Sequence, residues 1–117
     1  LRLIIAGSRT ISEGQAYTEC VAFYLEQESY PTEVISGGAR GVDTGGELFA
    51  QVNKIPVKLF PADWDIHGRA AGPIRNKQMA EYGDALLLIW DGKSKGSASM
   101  KREMEKLNKP VYEVIVK

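Results

Sequence analysis

The sequence predicts an α/β fold: a doubly wound, mostly parallel five-stranded sheet with helices on both faces. Three observations carry this expectation. Short, continuous apolar runs recur along the chain, the mark of strands buried on both faces. Segments of helical apolar spacing alternate with those runs, which is the order of a parallel sheet with crossover helices. Glycine-containing loops follow three of the runs and precede helices, where such sheets place their ligands.

Residues 3–6 (LIIA) form the first predicted strand, closed by Gly7. Ser12 to Gln15 reads as a capping box in which Gln15 reaches back. A helix follows to about Glu28, with Ala16, Cys20, Phe23, Tyr24 and Gln27 at helical spacing. Pro31 closes that segment. Residues 33–36 are a second strand running into a glycine loop. A helix is expected over residues 47–53 with Leu48, Phe49 and Val52 inward, and residues 44–47 could form a second capping box. Residues 56–60 are the third strand, and residues 61–73 read as a long loop. A short helix is expected over residues 74–82. ALLLIW, residues 85–90, is the most apolar run and the expected central strand. Residues 91–96 read as a polar loop, 97–107 as a helix and 111–116 as the last strand. The whole is one α/β domain spanning residues 1–117, without repeats or linkers.

Lys plus Arg and Asp plus Glu number 15 each, so the chain is formally neutral. Such a balance gives no support to a broad polyanion-binding surface, although a local patch survives it. The single Cys20 excludes an internal disulfide, and its apolar setting marks it as a buried structural thiol. No apolar run approaches membrane-spanning length and no signal peptide is visible, so a cytoplasmic protein without membrane contact is expected.

Three glycine-containing loops would leave the carboxyl ends of strands: Gly7-Ser8-Arg9-Thr10, Gly37-Gly38-Ala39-Arg40-Gly41, and Gly92 through Ser99. A helix start offers free N–H groups and partial positive charge to an anion, and glycine lets backbone approach it. Arg9, Arg40 and Arg75 can add forked, charged hydrogen bonds. Neither a P-loop nor a dinucleotide fingerprint is present. In the long loop, Trp64 and His67 could stack on a base, or Trp64 could fill the core beneath the loop. No metal or other cofactor is expected, because candidate ligands are few and lack metal-site spacing.

Residues 36–43, SGGARGVD, resemble the first motif of the SLOG superfamily, which unites DprA-like and LOG-like Rossmannoid proteins. Residues 72–79, GPIRNKQM, resemble its second, and the strand at residues 84–90 followed by Gly96-Ser97-Ala98-Ser99 resembles its third. Gly7-Ser8-Arg9 and FPADW are similar to the small single-domain, YspA-like branch. The resemblance covers nearly the whole chain. It implies a Rossmann-like fold and a nucleotide or nucleotide-derived ligand at the strand ends, such as an ADP-ribose-type or cyclic nucleotide signal.

The resemblance implies that Gly37, Gly38 and Gly41 bring backbone to the ligand. Arg40 would contact the anion or brace the loop, and Asp43 would fix the loop or cap the next helix. Arg75, beside Asn76, would sit near sugar or phosphate. Gly96, Ser97 and Ser99 would bind phosphate, with Ser8 and Arg9 closing the other side. The glutamate by which LOG phosphoribohydrolases cleave an N-glycosidic bond is not matched; Glu103 comes about one turn later. Asp43, Asp65 and Asp91 are the other candidate acids. A binding module that senses or sequesters its ligand is therefore the first expectation and a phosphoribohydrolase the second. A DprA-like single-stranded DNA binder is third, since only Lys93, Lys95, Lys101 and Arg102 form a basic cluster, usually a solvated face. The resemblance also implies a homo-oligomer, for which Tyr17, Tyr24 and Tyr82 would suit an interface or a core margin. A small stand-alone binder of this kind would suit a phage or mobile element.

Overall fold

Five strands, β1 (Arg2–Gly7), β2 (Glu33–Ser36), β3 (Val57–Leu59), β4 (Ala85–Trp90) and β5 (Val111–Ile115), build one sheet in a computed structural model describing residues 1–27 and 30–116. The order is β3-β2-β1-β4-β5, and every neighbouring pair is parallel. Ile4 of β1 pairs with Ile35 on one side and with Leu86 on the other. β1 holds the middle position, so β4 lies one place from the expected centre, although all its residues are buried. The edge strands depart from the expected two-sided burial. β3 is exposed throughout and β5 is largely so, because an edge strand has a neighbour on one side only.

The helices are α1 (Glu13–Gln27), α2 (Val42–Val52), α3 (Trp64–His67), α4 (Ala71–Tyr82) and α5 (Lys95–Lys106). Side chains alternate across a strand, and the two core layers follow that period. Leu3, Ile5, Val34, Leu87 and Ile89 meet Ala16, Cys20 and Phe49 of α1 and α2. Ile4, Ile35, Leu86 and Leu88 meet Met79, Met100 and Met104 of α4 and α5 on the opposite face. Each fully buried aliphatic side chain contributes about 1.5–3 kcal/mol. The fold is thus Rossmann-like and doubly wound, with a sheet parallel throughout.

Local details correct several sequence expectations. Ser12 caps α1, its Oγ accepting the Gln15 N–H at 3.2 Å, but the return half of the box does not form. The Gln15 side chain instead donates to Glu19, its i+4 neighbour. Gln27 is exposed, and Glu28, the expected end of that helix, lies outside the described residues. α2 begins at Val42, well before residue 47, and residues 44–47 cap nothing. The Thr44 hydroxyl donates to the Ala39 carbonyl, and Glu47 accepts from the Ser36 hydroxyl.

The reason is packing. A Cβ at Gly45 would stand 2.5 Å from the Ala16 Cβ, and one at Gly46 would stand 2.6 Å from Ile5 Cγ2. Two helix glycines cost about 1 kcal/mol each relative to alanine. Close seating of α2 on α1 and β1 offsets that cost. Val42, Phe49 and Ala50 face inward, whereas Leu48 and Val52 are exposed.

The expected loop at residues 61–73 holds α3, a 3-10 turn (Gly68–Ala70) and the first turn of α4. Asp63 starts α3 by accepting the Ile66 N–H at 3.2 Å. Trp64 is 60% exposed, so it does not fill the core. Lys109 Nζ donates to the carbonyls of Ala80, Glu81 and Gly83, closing the carboxyl end of α4. Tyr17, Tyr24 and Tyr82 sit half-buried at the core margin; the Tyr24 ring stacks on Tyr30 at 3.9 Å. Among the described residues, no helix is long and apolar enough to cross a membrane.

Candidate functional site

A parallel sheet delivers the loops after β1, β2, β3 and β4 to one rim. The chain steps from β1 outward to β3, then returns to place β4 on the other side of β1, so strand order reverses beside β1. Such a reversal opens a crevice at the strand ends. An open cleft of about 1400 Å³ lies at this rim. The glycine loop forms one wall, and the ends of β1 and β3 reach it through Gly7 and Leu59. Trp64, the first half of α4 and the length of α5 complete it.

The glycine loop is held from three sides. The Gly38 N–H donates to Ser36 Oγ at 3.1 Å, and the Ala39 N–H donates to Asp43 Oδ2 at 3.1 Å. Arg75, reaching over from α4, donates from Nη1 to the Gly37 carbonyl at 2.8 Å and from Nε to Asn76 at 3.1 Å. Gly41 has φ +76°, and a Cβ there would lie 2.7 Å from the Arg9 carbonyl. Only glycine combines that conformation with that approach. Arg75 thus performs the bracing that sequence reasoning weighed for Arg40, whereas Arg40 itself is exposed on the cleft.

The second wall is joined to the first through Asn76. Its amide donates to the Gly96 carbonyl at 3.3 Å and to Ser99 Oγ at 3.4 Å. Asp91 Oδ1 accepts the N–H groups of Lys93 and Ser94, which hold its carboxyl below the ordinary range. The Asp91 N–H donates to Ser8 Oγ at 3.1 Å, and Ser94 Oγ donates to Ser97 Oγ at 2.7 Å. Ser8 and Asp91 therefore shape the entry to α5.

Gly7, Arg9, Gly37, Gly38, Arg40 and Asp43 line the cleft from the first wall. Trp64, Arg75, Asn76, Gly96, Ser97 and Ser99 line it from the second, with Glu103 further along α5. Ser8 and Gly41 stand behind the wall, and Asp65 is exposed on α3 without lining the cleft. Sequence reasoning missed Lys106 and took Lys95 and Arg102 for a solvated face. Their spacing with Ser99 and Glu103 follows one helical stripe, with Met104 buried on the other side of the helix. Lys93 lies outside the cleft, and Lys101 pairs with Glu113 at 3.1 Å.

The cleft carries six cations (Arg9, Arg40, Arg75, Lys95, Arg102 and Lys106) against two acids, Asp43 and Glu103. Lys106 and Glu103 pair at 3.2 Å. Among the described residues, Arg9, Arg40, Arg75, Lys95 and Arg102 enter no ion pair. Burial raises the Asp43 carboxyl from 3.8 to about 6; the Ala39 N–H and the Arg75 guanidinium pull the other way. Asp43 is thus poised to gain or lose a proton near neutrality. Among the described residues, no group of three His, Cys, Asp or Glu side chains could hold a metal.

The chain is 33% identical over 116 residues to the Gene 61 protein of Mycobacterium phage D29, covering 94% of this chain and 93% of that protein. No family model matches. No solved structure matches. The chain belongs to the family of that phage protein.

Proposed function

We propose that this member of the phage Gene 61 protein family binds a nucleotide or nucleotide-derived anion in the cleft, as a sensor or sequestering module of the SLOG type. The observation that carries this reading is the concentration of charge. A formally neutral chain gathers six cations against two acids at the strand ends, five of them in no ion pair among the described residues. Cations gathered in one cleft without acid partners favour an anion in the same space. The glycine loop, its Gly38 and Ala39 N–H groups engaged within the protein, carries Arg40 to the cleft; Arg9 and Arg40 supply forked donors, and Trp64 presents a ring face for a base.

A second reading, cleavage of the ligand's N-glycosidic bond, is favoured by Asp43. A carboxyl with a pKa of about 6 at the cleft can exchange a proton at neutral pH. Long nucleic acid is disfavoured. With six of fifteen cations but only two of fifteen acids in the cleft, nine cations and thirteen acids remain elsewhere, and that surface repels an extended polyanion.

The test is a thermal-shift screen with nucleoside monophosphates, cyclic nucleotides and ADP-ribose, with each hit analysed after incubation. A ligand that raises the melting temperature and is recovered intact supports the binding module. Free base plus ribose phosphate supports the hydrolase. No shift with any member of the panel overturns both.

A further inference from the structure

We infer that the far half of α5 is a second anion subsite, so that the cleft takes a ligand carrying two separated phosphates, a dinucleotide in chemical class. This rests on the nucleotide reading above. The glycine loop, Arg75 and the start of α5 at Lys95–Ser99 form the inner end of the cleft. One phosphate with its sugar would occupy that end.

The cleft does not stop there. It continues along α5 to Arg102, Glu103 and Lys106. Lys95 to Lys106 spans about 16 Å at the α-helical rise. A volume of about 1400 Å³ also exceeds the upper end of ordinary ligand pockets, about 1,000 Å³. The helical repeat puts Lys95, Ser99, Arg102 and Lys106 on one stripe, so cations line this wall from end to end. Arg102 is exposed and without an acid partner among the described residues. Glu103 is tied to Lys106, which blunts its repulsion of an anion.

The length of the ligand is bounded by the charge outside the cleft. The chain outside the cleft carries thirteen acids against nine cations, so the rest of the molecule offers a polymer no net attraction. The stripe presents two cationic stations, Lys95 at one end and Arg102 with Lys106 at the other, one for each phosphate.

The experiment compares ribonucleoside 5′-monophosphates of each common base with the matching 5′-phosphorylated homodinucleotides and homohexanucleotides, by calorimetry on the full chain. The wild type is expected to prefer a dinucleotide over its monophosphate by about tenfold or more, the worth of one charge-assisted contact. Arg102→Gln with Lys106→Gln is expected to bring that ratio close to one. It should also flatten the salt dependence of dinucleotide binding by about 0.7 in log–log slope for each lost phosphate contact. Both side chains are exposed, so the variant folds, and circular dichroism checks it. Equal affinity for mono- and dinucleotide in the wild type, or a ratio untouched by the variant, overturns the subsite and leaves the nucleotide reading standing. Hexanucleotides binding progressively tighter than dinucleotides overturn the bounded ligand. Binding of none of these probes overturns the nucleotide reading and the subsite with it.

Discussion

Replacing Asp43 by Asn separates the ionisation of this carboxyl from its shape. In the folded chain burial holds Asp43 protonated up to about pH 6, whereas in the unfolded chain it ionises near 3.8. The folded state therefore binds more protons between those values, and stability falls as pH rises through that window. At about 1.36 kcal/mol per pH unit, the loss approaches 3 kcal/mol, complete slightly above pH 6. The Asn variant keeps a carbonyl oxygen for the Ala39 N–H but has no proton to lose. Its unpaired amide adds a cost that does not vary with pH. Asp91 and Glu113, held low by hydrogen bonds, give the opposite slope at acid pH, and they cancel between the two proteins.

Urea unfolding of both proteins from pH 4 to pH 8 yields the difference directly. Because the unfolded carboxyl is already more than half ionised at pH 4, the wild type is expected to lose about 2.4 kcal/mol relative to the variant across pH 4 to 7, then run parallel to it. A flat difference would mean that Asp43 ionises like an exposed carboxylate, and the reasoning about its burial would be refuted.

Other expectations follow from single contacts. Gly41→Ala forces a left-handed backbone and a clash with the Arg9 carbonyl, and should cost about 2 kcal/mol or more, read as a lower melting temperature. Gly96→Ala, with open space around its Cβ, should instead gain up to about 1 kcal/mol in the same assay. Trp64→Ala should change stability by no more than about 0.5 kcal/mol, because the ring is exposed. If the ring stacks on a base, nucleotide affinity should fall about tenfold or more in that variant, measured by calorimetry. Cys20, whose thiol burial pushes up to about 12, should resist a thiol-reactive dye at pH 8 until urea unfolds the chain.

Much of the fold was legible because the strands advertise themselves. LIIA and ALLLIW are apolar without alternation, and only interior strands of a parallel sheet tolerate that. Helix starts were less legible. Gly45 and Gly46 look like breakers, yet they sit inside α2 because Ala16 and Ile5 leave no room for a side chain. Nothing local to residues 42–46 signals that; the partner surfaces lie far away in sequence. The Asp63 cap of α3 was visible in principle as an acid three residues before a helical N–H.

In the site, the glycine and serine loops were readable because backbone chemistry leaves a compositional trace. The brace from Arg75 to the Gly37 carbonyl was not, since it joins residues on different elements. Lys95, Arg102 and Lys106 were hidden by composition. A lysine-rich amphipathic helix looks solvated until the fold places its polar stripe along a cleft.

The most direct measurement is an amide NMR titration of isotope-labelled protein with nucleoside 5′-monophosphates. The expected result is saturable shifts concentrated at Gly37 to Arg40 and at Lys95 to Ser99, attenuated in Arg40→Ala. Shifts that are absent, or that gather on β5 or the outer face of α1, would contradict an anion-binding cleft at the strand ends.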